Sequence, residues 1–393
     1  MNNNKSIIQI YYAALSYTLE LNKTLNDYKF KSDYLTTYPL FKIDKDFKKK
    51  YPIISKSFFS TPYFFLYRYR KFKTINNISL WLNKMIYYSL NNFVKKNIEK
   101  YDIFIIQASL GRSYLANLNS KITLLEKWSE HVDVAQEISE NEYAKRNLNI
   151  NFKDFINYDN LQIENELIEY KTVNKIIVPS NFVYKTFIEK GFDENRIFKI
   201  PLAGFDSKIF FPTSSPKKER FKILYVGRIT LNKGLAYLID AFTKLKIKKK
   251  ELNIYGVMSK DLSDYLNKNN LPDNIKIFNS VKHSELKNIY SSSDVMVLPS
   301  LFDGWGMVVT EALACGCPVI TTKNTGASDI IINGENGFVV PIMDSEAIAD
   351  CLNQIYKDSK KSFFNREAIA KSVDKYKDWN EYTMKYKELI ENI

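Results

Sequence analysis

Residues 293–322, SDVMVLPSLFDGWGMVVTEALACGCPVITT, read as a strand, a glycine-containing loop, a helix, a tight turn and a second strand. Residues 295–298 are a short apolar run, residues 307–315 are mostly helix formers, and Gly316 and Pro318 end the helix. This order is a βαβ unit, whose first loop opens at the carboxyl edge of a parallel sheet, where doubly wound folds bind ligands. The stretch therefore predicts an α/β fold with a ligand site at this loop.

The loop and the helix that follows carry groups that suit a diphosphate and a sugar. Gly304 and Gly306 let the backbone approach a ligand closely, and the helix N-terminus presents free N–H groups to an anion. Asp303 in the loop and Glu311 on the helix can accept hydrogen bonds from sugar hydroxyls. Without further motifs, the same two carboxylates would be interpreted as solvated acids.

Length and composition indicate a globular protein of two domains. The chain has 393 residues, of which 45% are hydrophobic and 26% charged, and this length exceeds that of one usual core. Because the sequence has neither a long apolar run nor a signal-peptide pattern, we expect a cytoplasmic location. The three cysteines have no metal-binding spacing, and two histidines cannot form a histidine-rich metal centre.

The net charge of +13 is concentrated in residues 42–100, the basic aromatic segment. Fourteen Lys or Arg residues stand there against three acids, and many Tyr and Phe residues lie between them. Such a mixture suits an anionic membrane surface, which we take as a candidate partner. Nucleic acid is not expected, because no nucleic-acid-binding motif accompanies the segment. The alternative is that the aromatic residues belong to a core and the lysines to its solvated face.

Residues 303–311 resemble the E-x7-E region of retaining glycosyltransferases of family 4 (glycosyl transferases group 1), which have the GT-B fold. In that family the first acid and the adjoining loop amides face the donor sugar and the diphosphate, and the second acid holds the ribose. The resemblance implies that Asp303 is catalytic. It also implies a nucleotide-sugar site formed by Gly227, Val281, Gly304, Trp305, Gly306, Met307 and Glu311.

Two further segments are similar to family motifs. Residues 227–234, GRITLNKG, resemble a family loop whose Arg and Lys would here be Arg228 and Lys233. These cations are implied to stabilise the leaving diphosphate, where negative charge develops as the glycosidic bond breaks. Residues 126–143 resemble an E-R-x-S-x-H stretch, with Lys127 where Arg is usual, and imply that His131 is a catalytic residue in the cleft. Without the resemblance, a lone His is more often structural.

The resemblance implies an α/β protein of the GT-B class, with two doubly wound, Rossmann-like domains that face each other across a cleft. Residues 1–205 would form the acceptor-side domain and residues 206–365 the nucleotide-sugar-binding domain. Residues 366–393, in a helical segment that includes Trp379, would cross back to the first domain. Asp44 and Asp46 have the D-x-D form of metal-dependent glycosyltransferases, but no strand precedes them, and we interpret them as surface residues.

The predicted function is sugar transfer with retention from a nucleotide-sugar donor to a carbohydrate or lipid-linked hydroxyl acceptor, without a metal or a further cofactor. Such a hexosyltransferase would act in polysaccharide, lipopolysaccharide or glycolipid assembly, in the cytoplasm or attached to the inner face of the membrane. Two alternatives remain open. One is a catalytically idle nucleotide-sugar-binding subunit, since Asp303 and Lys127 depart from the family pattern. The other is a GT-B nucleotide-sugar epimerase.

Overall fold

The structure is a computed structural model, and it describes residues 5–13, 15–66, 73–148, 160–213, 216, 219–266, 271–359 and 364–393. Within these residues the chain forms two separate parallel sheets with helices on both sides. The strands are short apolar runs that are buried almost throughout, which is typical of parallel sheets covered on both faces. The predicted two-domain α/β architecture is therefore present.

The first sheet contains seven strands in the order β3-β2-β1-β4-β5-β6-β7. Its strands are β1 Ser6–Tyr11, β2 Lys31–Thr36, β3 Ile53–Ser55, β4 Ile103–Gln107, β5 Ile122–Glu126, β6 Lys175–Val178 and β7 Ile197–Lys199. The helices of this part are α1 Ser16–Asp27, α2 Lys45–Lys50, α3 Ser60–Leu66, α4 Lys73–Asn97, α5 Arg112–Leu115, α6 Val132–Lys145, α7 Asn160–Thr172 and α8 Asn181–Glu189.

The second sheet contains six strands in the order β10-β9-β8-β11-β12-β13. They are β8 Phe221–Val226, β9 Lys250–Tyr255, β10 Ile275–Phe278, β11 Val295–Leu298, β12 Val319–Thr322 and β13 Gly337–Val340. The helices are α9 Leu235–Lys244, α10 Lys260–Leu266, α11 His283–Ser291, α12 Met307–Ala314, α13 Ser345–Ser359, α14 Arg366–Lys371 and α15 Asn380–Glu391. The strand order reverses between β8 and β11, so the loops after these two strands flank the crevice where doubly wound sheets bind ligands.

The sequence did not reveal three features of the first sheet and the C-terminal segment. Strands β2 and β3 were not predicted, because β2 begins with the polar residues KSD and β3 has only three residues. The 25-residue helix α4 was also not predicted within the basic aromatic segment. The segment after residue 365 is not one helical run, since Asp378 and Trp379 have φ of 52° and 59° and separate α14 from α15.

The chain crosses between the two sheets twice, and the two crossings lie side by side. Phe205 pairs with Lys377 in a parallel bridge, and the Asp378 amide donates to the Phe205 carbonyl at 2.8 Å. A Cβ atom on Gly204 would lie 1.9 Å from the Trp379 ring, so glycine is required where the indole covers the first crossing. Together the two crossings form one paired connection between the domains.

Helix α15 packs against the first domain, where Glu126 at the end of β5 holds it. Glu126 is 1% exposed, and the hydroxyls of Tyr382, at 2.6 Å, and of Tyr386 both donate to its Oε1. Burial raises the pKa of Glu126, and the hydrogen bonds from the two tyrosines offset only part of that shift. The last helix is thus joined to the first domain through a buried carboxyl group.

Within the described residues, none of the helices combines the length and the apolar character needed to span a bilayer.

The Tyr386→Phe substitution should destabilise the protein by about 1–3 kcal/mol, because it removes a buried donor to a carboxyl group that has no access to water. Urea unfolding followed by tyrosine and tryptophan fluorescence would measure this change. Tyr88→Phe is the matched control, since Tyr88 is 63% exposed. Equal effects of the two substitutions would contradict the role given to Glu126.

Candidate active site

A cavity of about 240 Å³ lies between the loops that follow β8 and β11. It is bounded by both domains, because Trp128 and Leu202 of the first part of the chain contribute to its wall. The structure brings seven of the predicted site residues to this cavity: Gly227, Arg228, Lys233, Asp303, Trp305, Gly306 and Met307. The remaining four, His131, Val281, Gly304 and Glu311, are not among its lining residues.

The loop after β8 is held in one shape by backbone contacts. The Leu231 amide donates to the buried Asp261 carboxylate at 2.9 Å, and the Leu301 amide donates to the Asn232 carbonyl at 2.8 Å. Gly234 has φ of 71°, and a Cβ atom there would lie 1.8 Å from the Pro299 carbonyl oxygen. Only glycine permits this approach. The loops after β8 and β11 are therefore fastened to each other, and Lys233 faces the second loop.

Lys233 and Asp303 form the polar centre of the cavity. Lys233 Nζ lies 2.5 Å from Asp303 Oδ2, and the two side chains are 26% and 20% exposed. The Trp305 amide donates to Asp303 Oδ1 at 3.3 Å, which orients the carboxylate. Sequence reasoning gave these residues separate partners on a substrate, whereas here they pair with each other. An ammonium group has three donors, so Lys233 can keep this contact and still bind a phosphate oxygen.

The backbone at Gly306 opens helix α12 toward the cavity. Gly306 has φ of 84°, and a Cβ atom would lie 3.0 Å from the side chains of Leu298 and Thr325. Because Gly306 is the N-cap and has no side chain, it leaves the first N–H groups of α12 free for an anion. Trp305 is 2% exposed and donates its indole N–H to Thr310 Oγ1 at 3.0 Å. Trp305 is thus a fixed wall of the cavity.

Gly304 serves the contact between the domains instead of lining the cavity. A Cβ atom on Gly304 would lie 1.7 Å from the Trp128 carbonyl oxygen, and one on Gly326 would lie 2.0 Å from the Gly304 carbonyl oxygen. Side chains extend the contact, since Asn232 Nδ2 donates to Ser139 Oγ at 2.9 Å. The cleft is closed over the cavity at this edge.

His131 is the N-cap residue of α6, and its ring lies away from the other predicted residues. Its Nδ1 accepts from the Asp133 amide at 3.3 Å, and the ring packs against Tyr170, Phe187 and Phe192. Burial lowers the pKa of His131 to about 4, so the imidazole is neutral at physiological pH. The expected position in the cleft does not agree with this location, and the catalytic role of His131 stays a prediction.

Glu311 lies on α12 beside the cavity, and two side chains hold its carboxylate. His283 Nε2 is 3.0 Å from Oε1, and the Tyr290 hydroxyl donates to Oε2 at 3.0 Å. The hydrogen bond to Glu311 raises the pKa of His283. Val281 lies two residues before His283, between β10 and α11, where the resemblance puts the nucleotide base. Neither role is tested by these contacts, and both stay predictions.

Glu130 is a candidate residue that sequence reasoning missed. It is 5% exposed, and its Oε2 is buried with no hydrogen-bond partner among the described residues. Burial raises the pKa of Glu130 to about 7, while the positive charges of Lys127 and Lys233 oppose the shift and the charge of Asp303 adds to it. A carboxyl group without a partner, so close to the Lys233–Asp303 pair, is a costly arrangement that substrate can relieve. Its position next to His131 was the only available signal.

The structure assigns Asp44 and Asp46 a structural part. Asp44 is the N-cap of α2, and its carboxylate accepts from the amides of Asp46 and Phe47 at 3.0 and 2.9 Å. The interpretation of the D-x-D sequence as surface agrees with this geometry. Across the described ranges, no group of three or more His, Cys, Asp or Glu residues is arranged to hold a metal ion.

Solved structures show the same architecture over the whole chain. Sucrose-phosphate synthase from Thermosynechococcus elongatus superposes with a TM-score of 0.69, at 18% identity and with 99% of each chain covered. HepE of Anabaena, solved in complex with UDP and glucose, has a TM-score of 0.64 at 15% identity, with 99% of this chain and 100% of that chain covered. The two facing domains and the site at the second sheet thus define a protein of the GT-B fold, as the sequence predicted.

The second domain carries the closer resemblance. Residues 206–381 match the family described as Glycosyl transferases group 1, and the chain contains a domain of that family. The capsular polysaccharide biosynthesis glycosyltransferase CapM of Staphylococcus aureus is 38% identical over 148 residues, which are 36% of this chain and 38% of that protein. Matches to the curated relatives span from 38% to 63% of the length of those proteins.

The Glu130→Gln substitution should stabilise the ligand-free protein at high pH. A carboxyl group whose pKa is raised to about 7 in the folded state contributes stability below its ordinary pKa and loses that contribution as pH rises through about 7. Glutamine is neutral throughout, so the variant should gain up to about 3 kcal/mol over the wild type near pH 9 and little near pH 5. Chemical unfolding at both pH values measures this difference. The exposed Glu189→Gln is the control, and a pH-independent effect of Glu130→Gln would contradict the assignment.

Proposed function

We propose that this chain is a retaining glycosyltransferase of family 4 that transfers a sugar from a nucleotide-sugar donor to a hydroxyl acceptor. The observation that carries the proposal is the arrangement of Arg228 and Lys233 opposite the open N-terminus of α12, in a cavity of a glycosyl transferases group 1 domain. Two cations and a helix N-terminus around one small cavity suit a diphosphate. The complex of HepE with UDP and glucose supports a nucleotide-sugar donor of this kind.

Each residue of the cavity takes one part in this proposal. Arg228, whose exposed side chain is at the cavity, and Lys233 bind the diphosphate of the donor. Asp303, held by the Trp305 amide, accepts a hydrogen bond from a hydroxyl of the donor sugar. Glu311 accepts from the ribose hydroxyls, and the backbone near Val281 meets the base. Gly227, Gly306 and Met307 shape the wall.

The proposed reaction needs no protein nucleophile, metal or further cofactor. The acceptor oxygen forms its bond to the anomeric carbon on the same face from which the bond to the diphosphate oxygen breaks. The proton of the acceptor hydroxyl passes to the departing phosphate oxygen, so the configuration is retained. Arg228 and Lys233 stabilise the negative charge that develops on the leaving group, which is the largest electrostatic demand of the step. His131 takes no part in this sequence, because its ring packs among aromatic side chains.

The proposed acceptor is a carbohydrate or a lipid-linked carbohydrate of polysaccharide, lipopolysaccharide or glycolipid assembly. The similarity of the second domain to CapM, which is named for capsular polysaccharide biosynthesis, supports this choice. The protein would act as a hexosyltransferase in the cytoplasm.

The purified full chain should be incubated with UDP-, GDP- and ADP-hexoses and oligosaccharide or lipid-linked acceptors, with an excess of EDTA. We expect release of one nucleoside diphosphate together with a glycosylated acceptor whose new linkage, read by NMR, keeps the configuration of the donor. An inverted linkage would contradict the mechanism. A new nucleotide sugar without transfer would indicate an epimerase, and tight donor binding without any product would indicate an idle subunit. Loss of activity in EDTA with rescue by Mn²⁺ would contradict metal independence.

Replacing Arg228 or Lys233 by Ala should lower kcat about a hundredfold or more, since each loses about 2–4 kcal/mol of stabilisation of the leaving group. Steady-state kinetics with the productive donor would measure the effect. Arg220→Ala is the matched control, because Arg220 is an exposed cation of the same domain outside the cavity. Near-normal turnover in both single variants would refute the assignment.

An anionic membrane surface is the partner that we propose for the basic aromatic segment. Phe58 and Trp81 are 83% and 54% exposed, and Phe59 connects them, with ring centroids at 5.0 and 6.1 Å. Tyr88, 63% exposed, lies two turns after Trp81 on α4, and the exposed Lys84 lies between them. Exposed rings beside lysines suit the interface of an anionic bilayer. Arg68, Arg70 and Lys71 of the same segment lie outside the described residues.

Changing Phe58 and Trp81 together to Ser should weaken binding to phosphatidylglycerol vesicles about tenfold or more, because two large apolar side chains no longer enter the interface. Vesicle sedimentation at low and high salt would measure binding. The control variant changes Val257 and Ile332 to Ser, which are 66% and 49% exposed on the second domain. Failure of the wild type to sediment even at low salt would contradict the membrane proposal.

A further inference from the structure

The carboxylate of Glu311 is held from two sides by residues of helix α11. On the buried side, Tyr290, which is 0% exposed, donates its hydroxyl to Oε2 at 3.0 Å. On the open side, His283 Nε2 lies 3.0 Å from Oε1, and its side chain is 57% exposed. Because a carboxylate only accepts hydrogen bonds, Nε2 carries the proton in this contact. Both oxygens therefore have a fixed donor, and the plane of the carboxylate is determined.

His283 is itself held in place by the chain that joins the domains. Its ring packs edge-on against Phe210, with centroids 4.7 Å apart, and Phe210 is 2% exposed. His283 is also the first residue of α11, and the two residues before it are Val281 and Lys282. The imidazole thus connects the loop assigned to the nucleotide base with the carboxylate assigned to the ribose.

We infer that His283 and Tyr290 are positioning residues that orient Glu311 so that both of its oxygens can accept hydrogen bonds from a ribose diol. The inference rests on the proposed function, because it requires that Glu311 binds the ribose of the donor. Each carboxylate oxygen accepts more than one hydrogen bond, so the oxygens can keep their protein donors while they accept from the 2′- and 3′-hydroxyls. A diol needs both oxygens in one plane, and two fixed donors provide that constraint.

Loss of His283 leaves Oε1 without its donor on the exposed side, and the Glu311 side chain gains rotational freedom. The cost then appears in ribose recognition and not in contacts to the base or the diphosphate. A residue with only a structural part in the fold would change the affinity for ribose and deoxyribose nucleotides equally.

The experiment measures the affinity of the full chain for UDP and GDP and for their 2′,3′-dideoxy counterparts by titration calorimetry. Discrimination is the ratio of the dideoxy Kd to the ribose Kd, and we expect about tenfold or more for the wild type. His283→Ala and Tyr290→Phe should each lose most of it. His283→Gln should keep it within about twofold, because the Gln amide can donate from nearly the same place. Ser284→Ala, an exposed residue of the same helix, is the control.

The Glu311→Gln variant separates the two levels of the proposal. Loss of discrimination in Glu311→Gln and in His283→Ala, with recovery in His283→Gln, is the expected result. Normal discrimination in His283→Ala together with its loss in Glu311→Gln overturns the inference and leaves the ribose role of Glu311 standing. Normal discrimination in Glu311→Gln overturns both. Failure of the wild type to bind UDP and GDP overturns the proposed donor site and the inference with it.

Discussion

The contact between Gly304 and the carbonyl oxygen of Trp128 determines how the two domains face each other. A Cβ atom on Gly304 would lie 1.7 Å from that oxygen, so any other residue would force the loops apart. Because the loops meet backbone to backbone, Trp128 reaches the cavity that contains Lys233 and Asp303. Glycine at one position thus sets the width of the cleft, and the loop that closes it also contains the acid and the helix start that form the site.

Three buried carboxyl groups of the first domain show how one chain uses the same chemistry in different ways. For Glu166, burial would raise the pKa, but the adjacent charge of Lys127 and several donors outweigh it and lower the pKa. Glu126 receives two tyrosine hydroxyls and joins the last helix to the sheet. Glu130 has an oxygen without a partner and lies at the domain contact. The first two contribute to the fold, whereas the third lowers stability at neutral pH and has no structural benefit.

The second domain was predicted well because its site comes from local segments. Each βα loop contains its own glycines, and sequence spacing alone places Arg228, Asp303 and Gly306 at one sheet edge. What the sequence could not give are the contacts between distant segments. The pairing of Lys233 with Asp303, the aromatic surroundings of His131 and the hydrogen bonds to Glu311 depend on how the elements pack. The first domain was predicted less well, since β2 is partly polar and β3 is short.

The hydrogen bonds to Glu126 have a consequence for synthesis of the chain. Tyr382 follows Glu126 by 256 residues, so its hydroxyl does not yet exist when the strands of the first sheet leave the ribosome. Until translation is nearly complete, the nascent first domain has an acid at the end of β5 without its tyrosine donors and lacks the helix that covers α1. Contacts of such long range are formed late in folding. The second domain, whose sheet is complete by residue 340, can fold first and hold the last helix for docking.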